Sequence, residues 1–442
     1  MWTKVKNFIS DPSGAALAKG GLVVLIFKVI GALGGYILLF SLAQAGGELS
    51  VGVYEVAFTL VLIGSTIGRW GLDTVVVKEM SREALDGAPS RTLYLAVFSR
   101  VLLMVVGVAL LAFVLAAMLT EVFFQNTPSE VLATAAIATV PFTMMLLNAE
   151  VFRALGKPLL FSLNQHGSVY ISMAVLLWII PFPAGMDASD SAQIALMLLL
   201  GISALFFAIS TIYILSITRK REEGHVPNWR GKLYKMATPM LISSSLFLVI
   251  SWSDTLMLGY YLTEDRVGVY RIVFKIATLI TFAQFALNTV VAPMVSALHE
   301  KGTALDELTT KVARLNLLTA GPIFIGIVLL GPWLISMFGV STASSAYPWL
   351  LILAFGQLIN AFAGPGLNIL NMTGYEKSAR NTMLVVVVLN FLLNLLFIPA
   401  FGPLGAAIST TLTMVGWNVW AALLVYKYHG VVAVPFLTHI KK

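Results

Sequence analysis

Apolar stretches of roughly 20 residues recur along the whole chain, and each has the length a helix needs to cross ~30 Å of hydrocarbon. That recurrence leaves few folds open. Lipid offers no partner to an unpaired backbone group, so a spanning element is a helix or a strand of a closed barrel. Barrel strands are ~10 residues long and alternate in polarity, and the sequence shows no such alternation. The expected fold is therefore all-α and integral to the membrane. About twelve spans are expected, at 18–43, 52–75, 92–119, 131–155, 159–181, 190–217, 236–261, 267–295, 311–338, 346–371, 379–400 and 403–428. Only 11% of the 442 residues are charged and 58% are hydrophobic, against about 25% charged in soluble domains. The absence of cysteine excludes disulfides, thiolate metal sites and a cysteine nucleophile.

The net charge of +7 follows membrane sidedness and does not point to nucleic acid. One set of connections carries Lys4, Lys6, Lys19, Lys78, Arg82, Arg91, Arg153, Lys157, Arg219, Lys220, Arg221, Arg230, Lys232, Lys235, Lys301, Lys311, Arg314, Lys377, Arg380, Lys427, Lys441 and Lys442. The opposite set carries Glu48, Glu121, Glu130, Asp187, Asp190, Glu264 and Asp265, with Arg266. The positive-inside rule then puts both termini in the cytoplasm of a multi-pass protein of the cytoplasmic, or inner, membrane.

The longest polar connection, 218–235, divides the chain into an N-terminal lobe (1–217, six spans) and a C-terminal lobe (236–442, six spans). An internal repeat supports the division. Val51-Gly52-Val53-Tyr54 opens span 2 and Val267-Gly268-Val269-Tyr270 opens span 8. Leu72-Asp73-Thr74-Val75-Val76 is echoed by Leu287-Asn288-Thr289-Val290-Val291 with one residue of slippage. Repeats of the same topology are related by an axis along the membrane normal, and a cavity between two such lobes is a natural transport path.

Ionisable groups inside a bilayer are costly and face a cavity or one another. On span 2, Glu55, Thr59, Thr66, Arg69 and Asp73 recur at helical spacing. They read as a polar wall, or as a structural stripe in which Arg69 and Asp73 pair. Lys28 lies inside span 1 among Gly31, Gly34 and Gly35, and Arg271 and Lys275 are one turn apart on span 8. Snorkelling to the nearest surface is the alternative reading for these cations. Trp70 and Trp252 read as sugar-stacking or interfacial residues. Asp254 is the one carboxylate well inside the second lobe, with Ser243 and Ser251 on its face; Asn390 and Asn394 stand four apart on span 11, and Thr410 lies on span 12. Oxygen ligands of this kind suit a hard cation such as Na⁺. An interhelical hydrogen-bond cluster and a proton-carrying Asp254 remain open beside it. His166 reads as a packing or relay histidine, and Glu150 with Arg153 as a structural pair.

Three short motifs carry a resemblance: Gly68-Arg69-Trp70-Gly71-Leu72-Asp73-Thr74, Ala286-Leu287-Asn288-Thr289-Val290-Val291-Ala292-Pro293, and Gly364-Pro365-Gly366 with Asn371-Met372-Thr373-Gly374-Tyr375-Glu376. In this order and at these spans the chain resembles the Wzx-like oligosaccharide and polysaccharide flippases, whose superfamily also contains the MATE exporters and lipid II flippases. The resemblance implies two six-helix lobes forming a V and alternating access. The implied substrate is a polyprenyl-diphosphate-linked glycan, carried to the outer leaflet. Membrane lipids and polysaccharide assembly proteins are the implied partners. The Lys and Arg residues would meet the diphosphate, and Asp254, Asn390, Asn394 and Thr410 are similar to the sodium site of lipid II flippases. The coupling ion is Na⁺ or H⁺, and no other cofactor is expected.

Two other classes compete. A MATE-like cation-coupled multidrug exporter shares the fold, but cationic drugs favour an acidic cavity, and the buried bases here outnumber the acids. A membrane enzyme would need catalytic groups; no P-loop, H-E-x-x-H or G-x-S-x-G motif is present. A major-facilitator transporter would carry a G-x-x-x-D-R-x-G-R-R loop after span 2, where this chain reads Asp73-Thr74-Val75-Val76-Val77-Lys78.

Overall fold

The computed structural model describes residues 12–85, 91–183, 185–218, 232–282, 305–340 and 343–431, with part of 284–299. Lys4, Lys6, the basic stretch 219–231, Lys301, Lys441, Lys442 and five residues of the second motif (Ala286, Thr289, Val290, Ala292 and Pro293) lie outside the described residues. So do the side chains of Ser243 and Ser251. The described chain is helical, and it clusters into two compact units. Unit 1 is Met1–Gly46 with Val53–Ser245; unit 2 is Gly47–Gly52 with Leu246–Lys442.

Unit 1 begins with α1 (Pro12–Arg69), 58 residues long. A straight helix of that length would measure roughly 87 Å, far beyond a bilayer. It is not straight. Gly34 is pressed on the backbone of Tyr170 and Ile171, and Phe58 packs on the Tyr170 ring at 5.7 Å. Those two residues would be roughly 36 Å apart along one axis, so the chain reverses between them. Gly47, with φ of 70°, supplies the left-handed residue of that reversal. α1 thus contains both expected spans 1 and 2.

A second break corrects the sequence reading of span 2. The helix ends at Arg69, and Trp70 (φ 45°) and Gly71 (φ 74°) turn the chain into α2 (Leu72–Leu85). The residues expected as 52–75 therefore do not form one helix. α2 buries Leu72, Val75, Val76 and Met80 in a core shared with Leu93, Val97, Val101 and Val105, and with Met144, Leu147, Val151 and Phe152. These come from α3 (Arg91–Val122) and α4 (Ser129–Ala154). Expected span 5 is also split, into α5 (Pro158–Leu163) and α6 (His166–Ile179), and α7 (Ala188–Ile217) closes the unit.

α8 (Lys232–Tyr261) starts in unit 1 and ends in unit 2. Unit 2 continues with α9 (Glu264–Thr278), a 3₁₀ turn (Leu279–Thr281), α10 (Asp306–Met337), α11 (Ala343–Phe362), α12 (Gly366–Met372), α13 (Glu376–Phe401) and α14 (Pro403–His429). The 3₁₀ turn interrupts expected span 8, and the short gap between α11 and α12 interrupts expected span 10. Among the described residues, eight helices are long and apolar enough to cross a membrane, α1 counted once. Their outer faces carry Leu103, Leu110, Val114, Leu318, Leu329 and Leu396 exposed, as a lipid-facing surface requires.

Candidate functional site

Asp254 on α8 is the centre of a closed polar cluster in unit 2. Its carboxylate is 4% exposed and accepts from three helices. The Asn394 amide of α13 donates to Oδ1 at 2.7 Å, and the Tyr270 hydroxyl of α9 donates to Oδ2 at 2.8 Å. The Thr410 hydroxyl of α14 donates to Oδ2 as well. Asn390, one turn before Asn394, accepts from Ser253 at 2.6 Å and from Asn394 at 3.3 Å, and donates to Thr413 at 3.4 Å. Burying a carboxylate in this setting is costly unless it is fully hydrogen-bonded; here donors from three helices meet that demand. One acceptor is left over: Asn394 Oδ1 is buried with no hydrogen-bond partner.

All four residues expected to form a cation site are thus brought together. Sequence reasoning missed Tyr270, Ser253 and Thr413. Tyr270 sits in the quoted Val-Gly-Val-Tyr repeat, so the signal was present but read only as evidence of duplication. The oxygen set fits a monovalent hard cation. Asp254 supplies the carboxylate oxygens, Asn390 Oδ1 and Thr410 Oγ1 lie in the same cluster, and turning the Asn394 amide would bring its unmet Oδ1 to the carboxylate side.

The stripe on span 2 does not continue to Asp73 on one helix, and the Arg69–Asp73 pair of the structural reading is present. Glu55, Thr59 and Thr66 are buried within unit 1. The Thr59 hydroxyl donates to the Glu55 carbonyl at 2.7 Å, and Thr66 to the Leu62 carbonyl at 2.9 Å, so both are spent on their own helix. Arg69 and Asp73 do not share a helix face. Their 2.7 Å ion pair bridges the left-handed turn at Trp70-Gly71, and Arg69 Nε also reaches the Ser65 carbonyl at 3.3 Å. Trp70 Nε1 donates to Thr238 at 3.3 Å.

Lys28 is exposed on α1, one turn before Gly31. A Cβ on Gly31 would lie 2.4 Å from the Gly167 Cα of α6, so small residues bring these two backbones together close to the α5–α6 break. Arg271 and Lys275 are half-buried on α9, with the Arg271 guanidinium 5.6 Å from the Phe274 ring centroid. His166 opens α6, its ring 6.5 Å from that of Phe142. Glu150 and Arg153 pair at 3.1 Å. A separate cluster escaped the sequence reading. Asn148 accepts from the Tyr94 hydroxyl at 2.9 Å and donates to Ser210 at 2.8 Å and Thr211 at 2.9 Å. Its polar atoms are satisfied, which marks it as interhelical glue.

Long apolar helices gathered around buried polar clusters define a multi-pass membrane protein. Its fold is shared with solved structures of that class. The lipid II flippase MurJ in an inward closed conformation matches with a TM-score of 0.68 at 12% identity, over 92% of this chain and 87% of that one. The MATE multidrug transporter DinF-BH matches at 0.60 and 15% identity, over 95% and 96%. In sequence, the probable flippase AglR of Haloferax volcanii is 23% identical over 377 residues, covering 83% of this chain and 75% of the relative. Residues 17–299 match the family model described as polysaccharide biosynthesis protein, and the chain belongs to that family. Residues 239–396 also match the MatE model.

Proposed function

We propose that this protein flips a lipid-linked glycan, a polyprenyl-diphosphate oligosaccharide, from the cytoplasmic to the outer leaflet by alternating access. The observation that carries the reading is the family membership, in a fold where cations stand on helices of both units, Lys28 on α1 and Arg271 and Lys275 on α9. Lys28, Arg271 and Lys275 are the residues proposed to meet the diphosphate. Lysine offers a point charge and arginine a bidentate fork for such a group. The relative named a probable flippase supports the same reading. The distribution of loop charge supports a cytoplasmic membrane location with both termini inside, and assembly proteins of polysaccharide production are the proposed partners.

The Asp254 cluster is proposed as the coupling site. Asp254, Asn390, Asn394 and Thr410 would hold Na⁺, with H⁺ on Asp254 as the competing form. A bound cation supplies the free energy of its gradient; the chain's own part is to bury one carboxylate among oxygens that can turn toward it. The MatE match favours a second reading, cation-coupled drug export, against which the basic residues weigh.

The test is reconstitution in liposomes with fluorescent polyprenyl-diphosphate glycan in the inner leaflet. Exposure to an outside quencher or lectin is expected to rise with an imposed Na⁺ gradient. Exposure equal to that of empty liposomes, with a cationic dye transported instead, would replace this reading with the second.

A further inference from the structure

Tyr270 joins two groups that the coupling reading leaves apart. Its hydroxyl bonds Asp254 Oδ2 at 2.8 Å, while the next residue along α9 is Arg271 and the fifth is Lys275. At 100° per residue the two cations lie roughly 100° and roughly 140° around the helix from Tyr270. Tyr270 is 1% exposed, and both cations are half-buried. One face of α9 is thus bonded to the buried acid, and another carries the basic pair. Any turn or slide of α9 that breaks the Tyr270 bond carries that pair with it.

The two ends of α9 suit such a movement. Near its start, a Cβ on Gly268 would lie 1.9 Å from the Glu48 carbonyl oxygen, so backbone rests directly on backbone there. At its end, the helix passes into the 3₁₀ turn, a feature that often marks a hinge.

The internal repeat supplies a control. The offset between the two motifs is 267 − 51 = 216, which pairs Tyr54 with Tyr270, Phe58 with Phe274, and Leu38 with Asp254. Both tyrosines are 1% exposed, and both stack on the phenylalanine four residues later, at 5.7 Å and 6.2 Å. The Tyr54 hydroxyl, however, is buried with no hydrogen-bond partner. Stacking is the packing role common to both repeats; the hydroxyl–carboxylate bond belongs to Tyr270 alone.

We propose that Tyr270 is a positioning residue that couples cation binding at Asp254 to the placement of Arg271 and Lys275. Its bond to the carboxylate holds α9 in one placement, and cation binding competes for that carboxylate and releases the helix. The proposal rests on the cation reading of Asp254. By linkage, Na⁺ and a diphosphate lipid then change each other's affinity by the same factor.

The full chain in nanodiscs is titrated with a fluorescent polyprenyl diphosphate in Na⁺ and in choline at equal ionic strength. In the wild type, Na⁺ is expected to change the Kd at least about tenfold. In Tyr270→Phe that ratio is expected to fall below about twofold. Na⁺ affinity itself, read from the Na⁺-dependent rise in Tm, is expected to be kept or to increase, because the competing hydroxyl is gone. Tyr54→Phe is expected to keep the wild-type ratio. A wild-type ratio in Tyr270→Phe, or its loss in Tyr54→Phe as well, overturns the proposal. If Tyr270→Phe does not fold, a fluorophore on Thr278→Cys at the end of α9, in a chain otherwise free of cysteine, decides: its emission has to shift on addition of Na⁺ alone, and an unchanged emission overturns the proposal. Na⁺ binding without linkage in the wild type overturns this proposal alone, whereas no Na⁺ binding removes the coupling site with it.

Discussion

Asp254 is held in place by the hydrogen bonds it accepts, and that makes its substitutions informative. In Asp254→Asn, the new amide can keep its oxygen toward Tyr270 and Thr410 and turn its nitrogen toward Asn394. The unmet Asn394 Oδ1 is available to accept once that amide turns over. Asp254→Leu has no such rearrangement and strands the donors of Tyr270 and Asn394, each costing about 1–3 kcal/mol when buried. The leucine variant is therefore expected to be at least about 2 kcal/mol less stable than the asparagine variant. The asparagine variant should keep a near-wild-type Tm in detergent and lose the Na⁺-dependent rise. Equal stability of the two would mean that the cluster does not need a hydrogen-bond acceptor at this position. Asp254 was legible in the sequence because an acid inside an apolar run stands out. Tyr270 was not, because tyrosine is at home in apolar surroundings and its role depends on which helix lies opposite.

The break between α1 and α2 shows where hydropathy runs out at the level of the element. Trp70, Gly71 and Leu72 continue the apolar run, so a helical count passed straight through to Asp73. The backbone does not, and Trp70 is the one non-glycine residue with positive φ among the described residues. The turn is fixed from outside. A Cβ on Gly71 would lie 2.4 Å from the Ala237 carbonyl oxygen and 2.8 Å from the Leu241 nitrogen, both on α8. Gly71→Ala adds that clash to a left-handed conformation already costing alanine about 1–2 kcal/mol. It is expected to lower Tm in detergent by several degrees. Gly416→Ala, where the helix has open space, is expected to be neutral or slightly stabilising. A neutral Gly71→Ala would show that α8 moves aside freely at this point. The α1 reversal at Gly47 was legible as a gap between two apolar runs, since there the hydropathy itself changes.

At the scale of the whole molecule, the two copies of the Val-Gly-Val-Tyr motif meet each other inside unit 2. A Cβ on Gly52 would lie 1.7 Å from the Glu264 carbonyl oxygen, and one on Gly268 would lie 1.9 Å from that of Glu48. Glu48 and Glu264 each precede their own repeat's glycine by four residues, so the contact is reciprocal: each repeat offers the same glycine and the same carbonyl. The sequence showed the duplicated motif but not its self-contact, because a pattern of letters carries no information on which copies touch. Reciprocity has an energetic signature. Gly52→Ala and Gly268→Ala each force the same two backbones apart, and a separation that relieves one clash also relieves the other. Each single variant is expected to cost about 1–3 kcal/mol, and the double variant about as much as one of them. The resulting coupling in a double-mutant cycle lies far outside the ~0.5 kcal/mol scatter of independent sites. Thermal unfolding of the four proteins in one detergent measures it. Additive losses would mean that the two glycines are accommodated separately, and that the contact is two local fits instead of one shared crossing.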